Sequence, residues 1–290
     1  MDLKLPALPT ALAEIIQIQR TSTPDANRLV EIIEKDPALA LYVLRQVNSA
    51  YYGLRKQVSQ INRAVTLLGS KRVCNLVLAA VLKQTFANIK GPTAQAVYQH
   101  ILKTSLATAV LARDIAEFLH LSSSETAFTA GLLHQVGRLA FLYNASDRYV
   151  PLWYKRIPPE KRLTLVAPSL EAEQARFDID SLHLGARALQ QWGLPEEFAA
   201  IMRRIRTLEK VIESPLRILP LIVAIGRAVA ESLFEPQGYG SYATYAVNGR
   251  PMLLATLAPS RHLDVDALDE FLDNRCEDVK QYAQSLMQSG

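Results

Sequence analysis

Any chemistry in this chain would gather around His134. It stands in the stretch Glu125 to Leu142, ETAFTAGLLHQVGRLAFL, with apolar residues before and after it. A helical histidine followed directly by an aspartate would start a metal site, because a neutral imidazole and a hard carboxylate then sit side by side. Here the next residue is Gln135. A neutral amide oxygen offsets none of a divalent cation's charge, so it replaces the carboxylate poorly. One ligand does not make a site, and His134 reads first as a core histidine hydrogen-bonded to a neighbour.

Other groups carry weaker signals. Arg203, Arg204 and Arg206 with Lys210 form the densest basic cluster. Positions 203, 206 and 210 share a helix face, which reads first as a solvated face and second as an anion or nucleotide site. Asn48 and Ser49 follow an apolar helix and could touch a ligand, although Asn and Ser at a helix end commonly bond local backbone. Tyr51 and Tyr52 read as packing aromatics with polar tips. His100, His120, His183 and His262 read as surface or partly buried polar residues, and Lys155, Arg156, Lys161 and Arg162 as charges around a proline break. Cys74 and Cys276 lack metal-type spacing, and Cys74 lies in an apolar helix, as a reduced buried thiol would.

These residues need helices to hold them. Ser122 followed by Glu125 is the pattern of a capping box, and Phe128, Leu132 and Leu133 then recur at helical spacing. Gly131 and Gly137 permit close backbone approach or a break between two helical pieces. Upstream, Thr10, Thr23-Pro24 and Asp36-Pro37 are helix starts, the last opening a nearly all-apolar helix. Ser59 begins a short helix stopped by Gly69, and Ser70 caps another reaching about Phe86. Lys90-Gly91-Pro92 is the clearest break of the first half. A long helix follows to about Leu119. Trp153 to Pro159 reads as irregular, and helices are expected near 169–177, 181–192, 195–210, 214–234 and 264–287. The stretch 235–260 alternates Pro, Gly and Tyr without helical period, so strand is expected only there.

The expected fold is therefore all-α. Residues 1–90 form a five-helix N-terminal lobe, 91–212 a second helical lobe, and 213–290 a C-terminal extension. The short junction at Lys90 to Pro92 makes the lobes meet. With 290 residues, 49% hydrophobic and 21% charged, the chain has ordinary globular composition. No apolar run approaches the roughly 20 residues of a bilayer span, and the start MDLKLPALPT lacks a secretory layout, which fits a cytoplasmic protein without a membrane partner. A net charge of +4 is a mild excess that does not argue for nucleic acid.

Three strings carry a family resemblance. The segments EKDPALALYVLRQVNSAYYG (34–53) and INRAVTLLGSKRVCNLVLAA (61–80) resemble the HDOD family, the HD-related output domain of bacterial signalling proteins and response regulators. AGLLHQVGRL resembles the His-Asp doublet segment of the HD superfamily of metal-dependent phosphohydrolases, with the aspartate lost. FDIDSLHLGARALQQWGLPEEF (177–198) is a third match. Together they cover roughly residues 5 to 207.

The resemblance implies a two-lobed helical protein whose second lobe is a degenerate HD scaffold. HD enzymes hold their ion with a helical histidine, the doublet and a later aspartate, and the ion activates water. Aligned on that pattern, Thr104 stands where the first histidine would be, His134-Gln135 at the doublet, and Ser181 where some members carry a further histidine. No acidic residue takes the place of the missing carboxylate in that pattern; Asp114 and Asp180 are candidates by type alone. This implies no metal, no cofactor and no catalysis. The function implied is a signalling module that works through a protein partner or a bound small ligand such as a nucleotide, with Asn48, Ser49, Arg203, Arg206 and Lys210 as its candidate surface. A metal-dependent phosphohydrolase, acting on a cyclic dinucleotide for instance, is the first alternative, and a nucleic-acid-binding regulator the second.

Overall fold

The computed structural model describes residues 6, 14, 15, 18, 25–157, 162–165, 167–205, 218–234, 254 and 264–288. Its helices start and stop largely where local chemistry dictates. Asp25 caps α1 (Ala26–Glu34), accepting from the amides of Asn27 and Arg28. Asp36 caps α2 (Pro37–Val47) in the same way, with Pro37 in the first turn where its missing N–H costs nothing. A 3-10 turn, Ala50–Tyr52, ends at Gly53 in the left-handed region. Then come α3 (Ile61–Leu68) and α4 (Ser70–Thr85), bent by 119° about Gly69, whose φ of 82° suits glycine.

The centre is α5 (Pro92–Phe118), buried from Ile101 to Ala116 except at Lys103. A helix buried on nearly every side belongs to a core rather than a surface. Against it pack α6 (Ser124–Leu133), α11 (Ile218–Phe234) and α12 (Val265–Gln288). Small residues make the approach close. A Cβ added at Gly131 of α6 would lie 2.7 Å from Ala109 Cα, and one at Gly226 of α11 would lie 3.2 Å from the amide nitrogen of Ala112. Around this centre stand α7 (Val136–Trp153), α8 (Leu170–Phe177), α9 (Ser181–Gln191) and α10 (Glu196–Ile205). Buried apolar side chains form one connected cluster from Ile15 to Leu286. Among the described residues no single helix is long and apolar enough to cross a membrane.

The all-α class read from the sequence is the class observed, with several local corrections. An antiparallel pair forms here: β1 (Tyr154–Ile157) falls in the stretch Trp153 to Pro159 expected to be irregular, and β2 (Arg162–Leu165) follows just beyond it, with Tyr154 opposite Leu165. Arg162-Leu-Thr-Leu165 alternates polar and apolar, a half-buried strand period that the tandem prolines obscured. The expected strand region, 235–260, lies outside the described residues apart from Leu254, which is helical and buried. The capping box at Ser122 does not form. Ser123 stands at the start of α6 without a side-chain bond, and Glu125 instead accepts from Arg72 Nε and Asn75 Nδ2, both at 2.8 Å. Charged and amide partners from α4 outcompete one exposed cap. Similarly, Ser70 is the first residue of α4 rather than its cap, and Gln60 rather than Ser59 precedes α3.

Candidate functional site

The break between α6 and α7 falls at His134 and Gln135, between the two glycines that bracket it. Gly131 brings α6 against α5. A Cβ on Gly137 would run into the carbonyl oxygen of Ser181, so the start of α7 lies on the start of α9. Thr104, His134, Gln135 and Ser181 are all buried, and these two approaches draw α5, α7 and α9 around them.

Their hydrogen bonds are specific. Thr104 Oγ1 lies 2.9 Å from the carbonyl of His100 and 3.1 Å from that of Ile101, so its proton points into its own helix. Its remaining lone pair accepts from Gln135 Nε2 at 2.7 Å, while Ser105 Oγ stands 3.3 Å from the same nitrogen. Gln135 Oε1 accepts from Arg138 Nη1 at 3.0 Å. One amide orientation satisfies both ends. His134 Nδ1 lies 2.5 Å from the carbonyl of Gly131, which makes Nδ1 the donor and leaves a lone pair on Nε2. That Nε2 is buried and has no hydrogen-bond partner among the described residues. Burial first, then the charges of Arg227 and Arg138, holds the imidazole well below the usual histidine range.

Arg138 is the centre that the sequence reading passed over. Its guanidinium is 1% exposed, bonds the Pro168 carbonyl at 3.0 Å and lies 3.3 Å from Glu173 Oε1 and 3.8 Å from Glu231 Oε1. The Trp153 ring covers one face, with its centroid 5.4 Å away. Glu173 in turn accepts from the Tyr149 hydroxyl and from the Ser181 amide, each at 2.8 Å. Arg227 Nε donates to Glu231 Oε1 at 3.0 Å, again in the interior. Both arginines sit in apolar helical runs, GRLAFL and AIGRAVA, and a lone arginine in such a run was the signal available.

The HD superfamily would put a divalent cation here, and the residues present do not fit one. The donors at the aligned positions are a hydroxyl, an amide, a hydroxyl and one imidazole nitrogen. The amide and the Thr104 hydroxyl are bonded to each other, and two guanidiniums already carry positive charge into the same interior. The carboxylates within reach, Glu173 and Glu231, pair with those guanidiniums. Among the described residues no three His, Cys, Asp or Glu side chains are grouped to hold a metal ion.

The other candidates lie apart. Asn48 Nδ2 donates to the carbonyls of Leu44 and Val58, and its Oδ1 accepts from the Val58 amide, so the side chain ties the end of α2 to the approach of α3. Ser49 lines a pocket beside Tyr51 and Arg275. Arg203 pairs with Glu196 on the surface, while Arg206 and Lys210 lie outside the described residues, as does His262. His183 Nδ1 lies 2.8 Å from Asp180 Oδ2, at the cap of α9. His100 packs edge-on against Trp153, with ring centroids 5.6 Å apart. Asp114 faces Tyr51, Arg113 and Arg275, away from Gln135.

The sequence profile of the HDOD domain matches residues 5–208. An uncharacterized protein of Treponema pallidum (strain Nichols) is 24% identical over 228 residues, covering 77% of this chain and 41% of that protein. The chain thus spans about two fifths of the length of that curated relative. Among solved structures, an HDOD domain protein of unknown function from Geobacter sulfurreducens superposes with a TM-score of 0.76 at 20% identity, over 98% of this chain and 93% of the other. A provisionally named phosphohydrolase from Shewanella amazonensis SB2B gives 0.72 at 20% identity, over 97% and 95%. A provisionally named signal transduction protein from Marinobacter aquaeolei VT8 gives 0.67 at 20% identity, over 99% of this chain and 60% of that one.

Proposed function

The chain belongs to the HDOD domain family, and from that premise we propose that it is a non-catalytic regulatory module, passing a signal through a protein partner or a bound small ligand. The observation that carries this reading is the pair of hydrogen bonds made by Gln135, one to Thr104 Oγ1 at 2.7 Å and one from Arg138 Nη1 at 3.0 Å. Positions that would supply metal ligands in an HD hydrolase bond each other, and a permanent cation stands beside them. Water activation at such a centre needs a divalent ion held by anionic and imidazole ligands. A guanidinium polarises no water in that way, because it presents N–H donors and no open coordination position. The module then acts by the shape of its surface, whose equilibrium a partner or ligand shifts.

The test is hydrolysis of cyclic dinucleotides and of a general phosphodiester by the purified full chain, with Mn²⁺, Fe²⁺ or Mg²⁺ added. No metal-dependent turnover and no stoichiometric metal by elemental analysis are expected. Turnover that is lost in His134→Ala would overturn the reading and favour the phosphohydrolase alternative.

A further inference from the structure

A second buried arginine, Arg113 on α5, is bonded far less completely than Arg138. It is 3% exposed. Its Nη2 donates to the Tyr51 hydroxyl, a neutral partner. The nearest carboxylate oxygen, Asp114 Oδ1, lies 3.7 Å from Nε, beyond hydrogen-bond reach. Its Nη1 makes no hydrogen bond among the described residues. Asp114 is engaged elsewhere: its Oδ2 accepts from Arg275 Nε and Nη2 at 3.0 and 2.9 Å, and its Oδ1 from the Tyr51 hydroxyl at 3.2 Å. A guanidinium carries five N–H donors, and those that Tyr51 does not take are available to an anion that enters from the pocket side. The rings of Tyr51 and Phe128, centroids 5.4 and 5.1 Å from its Cζ, hold the fork in place.

The fork borders an open pocket of about 460 Å³ between the 3-10 turn, α5 and α12. That volume is in the range of small-molecule sites. Three arginines line it, Arg72, Arg113 and Arg275, against two carboxylates, Asp114 and Glu117. Phe118 and Phe271, with ring centroids 4.9 Å apart, offer it an apolar wall. A second cavity of about 310 Å³ shares Tyr51 and Arg275 with the first and is lined by Ser49, whose buried hydroxyl has no hydrogen-bond partner among the described residues.

We propose that this pocket binds a small organic anion, with the fork of Arg113 taking its carboxylate or phosphate and Phe118 and Phe271 covering its carbon skeleton. Arg275 comes from α12, so the site is complete only when α12 is docked on the turn, and the bound anion strengthens that docking. The site stands on its own geometry, and its use as a signal input rests on the regulatory reading.

The experiment is thermal unfolding and titration calorimetry of the full chain at constant ionic strength. The probes are inorganic phosphate, adenosine and guanosine monophosphates, citrate and benzoate. At least one probe should raise the melting temperature saturably. Arg113→Lys, which keeps the charge and loses the fork, and Arg275→Gln should each weaken binding by about tenfold to a hundredfold. Should Arg113→Lys fail to fold, the half-exposed Arg275→Gln decides. Response to the phosphate probes alone assigns a phosphate ligand, and response to citrate or benzoate assigns a carboxylate. No saturable response from any probe, or a response unchanged in both variants, overturns the site. Either failure leaves the non-catalytic reading to its own hydrolysis assay.

Discussion

Gln135 Nε2 donates to Thr104 Oγ1 at 2.7 Å, joining the start of α7 to the middle of α5 across 31 positions of sequence. The bond is buried on both sides, and Gln135 is also the acceptor for Arg138. Gln135→Leu keeps the approximate volume and removes both bonds, leaving a buried hydroxyl acceptor and a buried guanidinium donor unsatisfied. A loss of roughly 2–4 kcal/mol is expected by urea unfolding, because unmet buried groups cost more than the bond itself contributes. A change under about 1 kcal/mol would mean that water reaches this interior.

Arg138 and Glu173 should behave as one unit. Arg138→Met leaves Glu173 charged in the interior, and Glu173→Gln leaves Arg138 with less compensation, so the first is expected to cost about 3–5 kcal/mol. The double variant should cost clearly less than the sum of the two, and a double-mutant cycle measures the difference. Additive losses would show that the 3.3 Å approach between Arg138 Nε and Glu173 Oε1 contributes no coupling.

The two glycines at the α7–α9 contact should respond unequally to alanine. At Gly137 the new methyl meets the backbone of Ser181 and Gly185, which move only if the helices separate. At Gly185 it meets the Met202 sulfur at 3.0 Å, the end of a flexible side chain. Gly137→Ala is expected to cost about 3 kcal/mol or to prevent folding, and Gly185→Ala about 1 kcal/mol or less. Equal melting temperatures for the two variants would contradict the contact.

Alkaline pH should unfold the protein through its buried phenols. Burial pushes Tyr51 up to about 12, and burial raises Tyr282 and Tyr149 well above the usual phenol range. The fold thus favours their neutral forms relative to the unfolded chain, whose phenols titrate near pH 10. That stabilisation is complete below about pH 10 and is lost as pH rises through about 12 for Tyr51. Near-ultraviolet phenolate absorbance should rise in two stages, the second together with loss of helical circular dichroism. A single stage near pH 10 with the helices intact would mean that these hydroxyls are wet.

Helix ends were legible because the forces that set them act within a few residues. Asp36 before Pro37, Gly193 after α9 and Asp264 before α12 all stand as their local chemistry demands. The all-α class followed from the repeat of such signals along the chain, and the family followed from the strings around Asn48, Val65 and His134. Thr104, Gln135 and Ser181 could be named as related positions only through that family pattern. Nothing local says that Gln135 would bond Thr104 rather than face solvent.

What tertiary structure alone decided is which long, charged side chains meet. Glu125 could have closed a cap on its own helix, yet it turns to Arg72 and Asn75, because α4 packs where a cap bond would otherwise face water. Arg138, Glu173, Arg227 and Glu231 come from three helices, and folding buries them together. Arg275 meets Asp114 across 161 positions and takes its Oδ2, while Arg113 approaches only the Oδ1 of the same carboxylate, at 3.7 Å. A helix cap depends on backbone atoms already held nearby by the chain. A buried ion pair depends on where whole helices come to rest, and that is set by the packing of Ala109 against Gly131, of Ser181 against Gly137, and of the rest of the core at once.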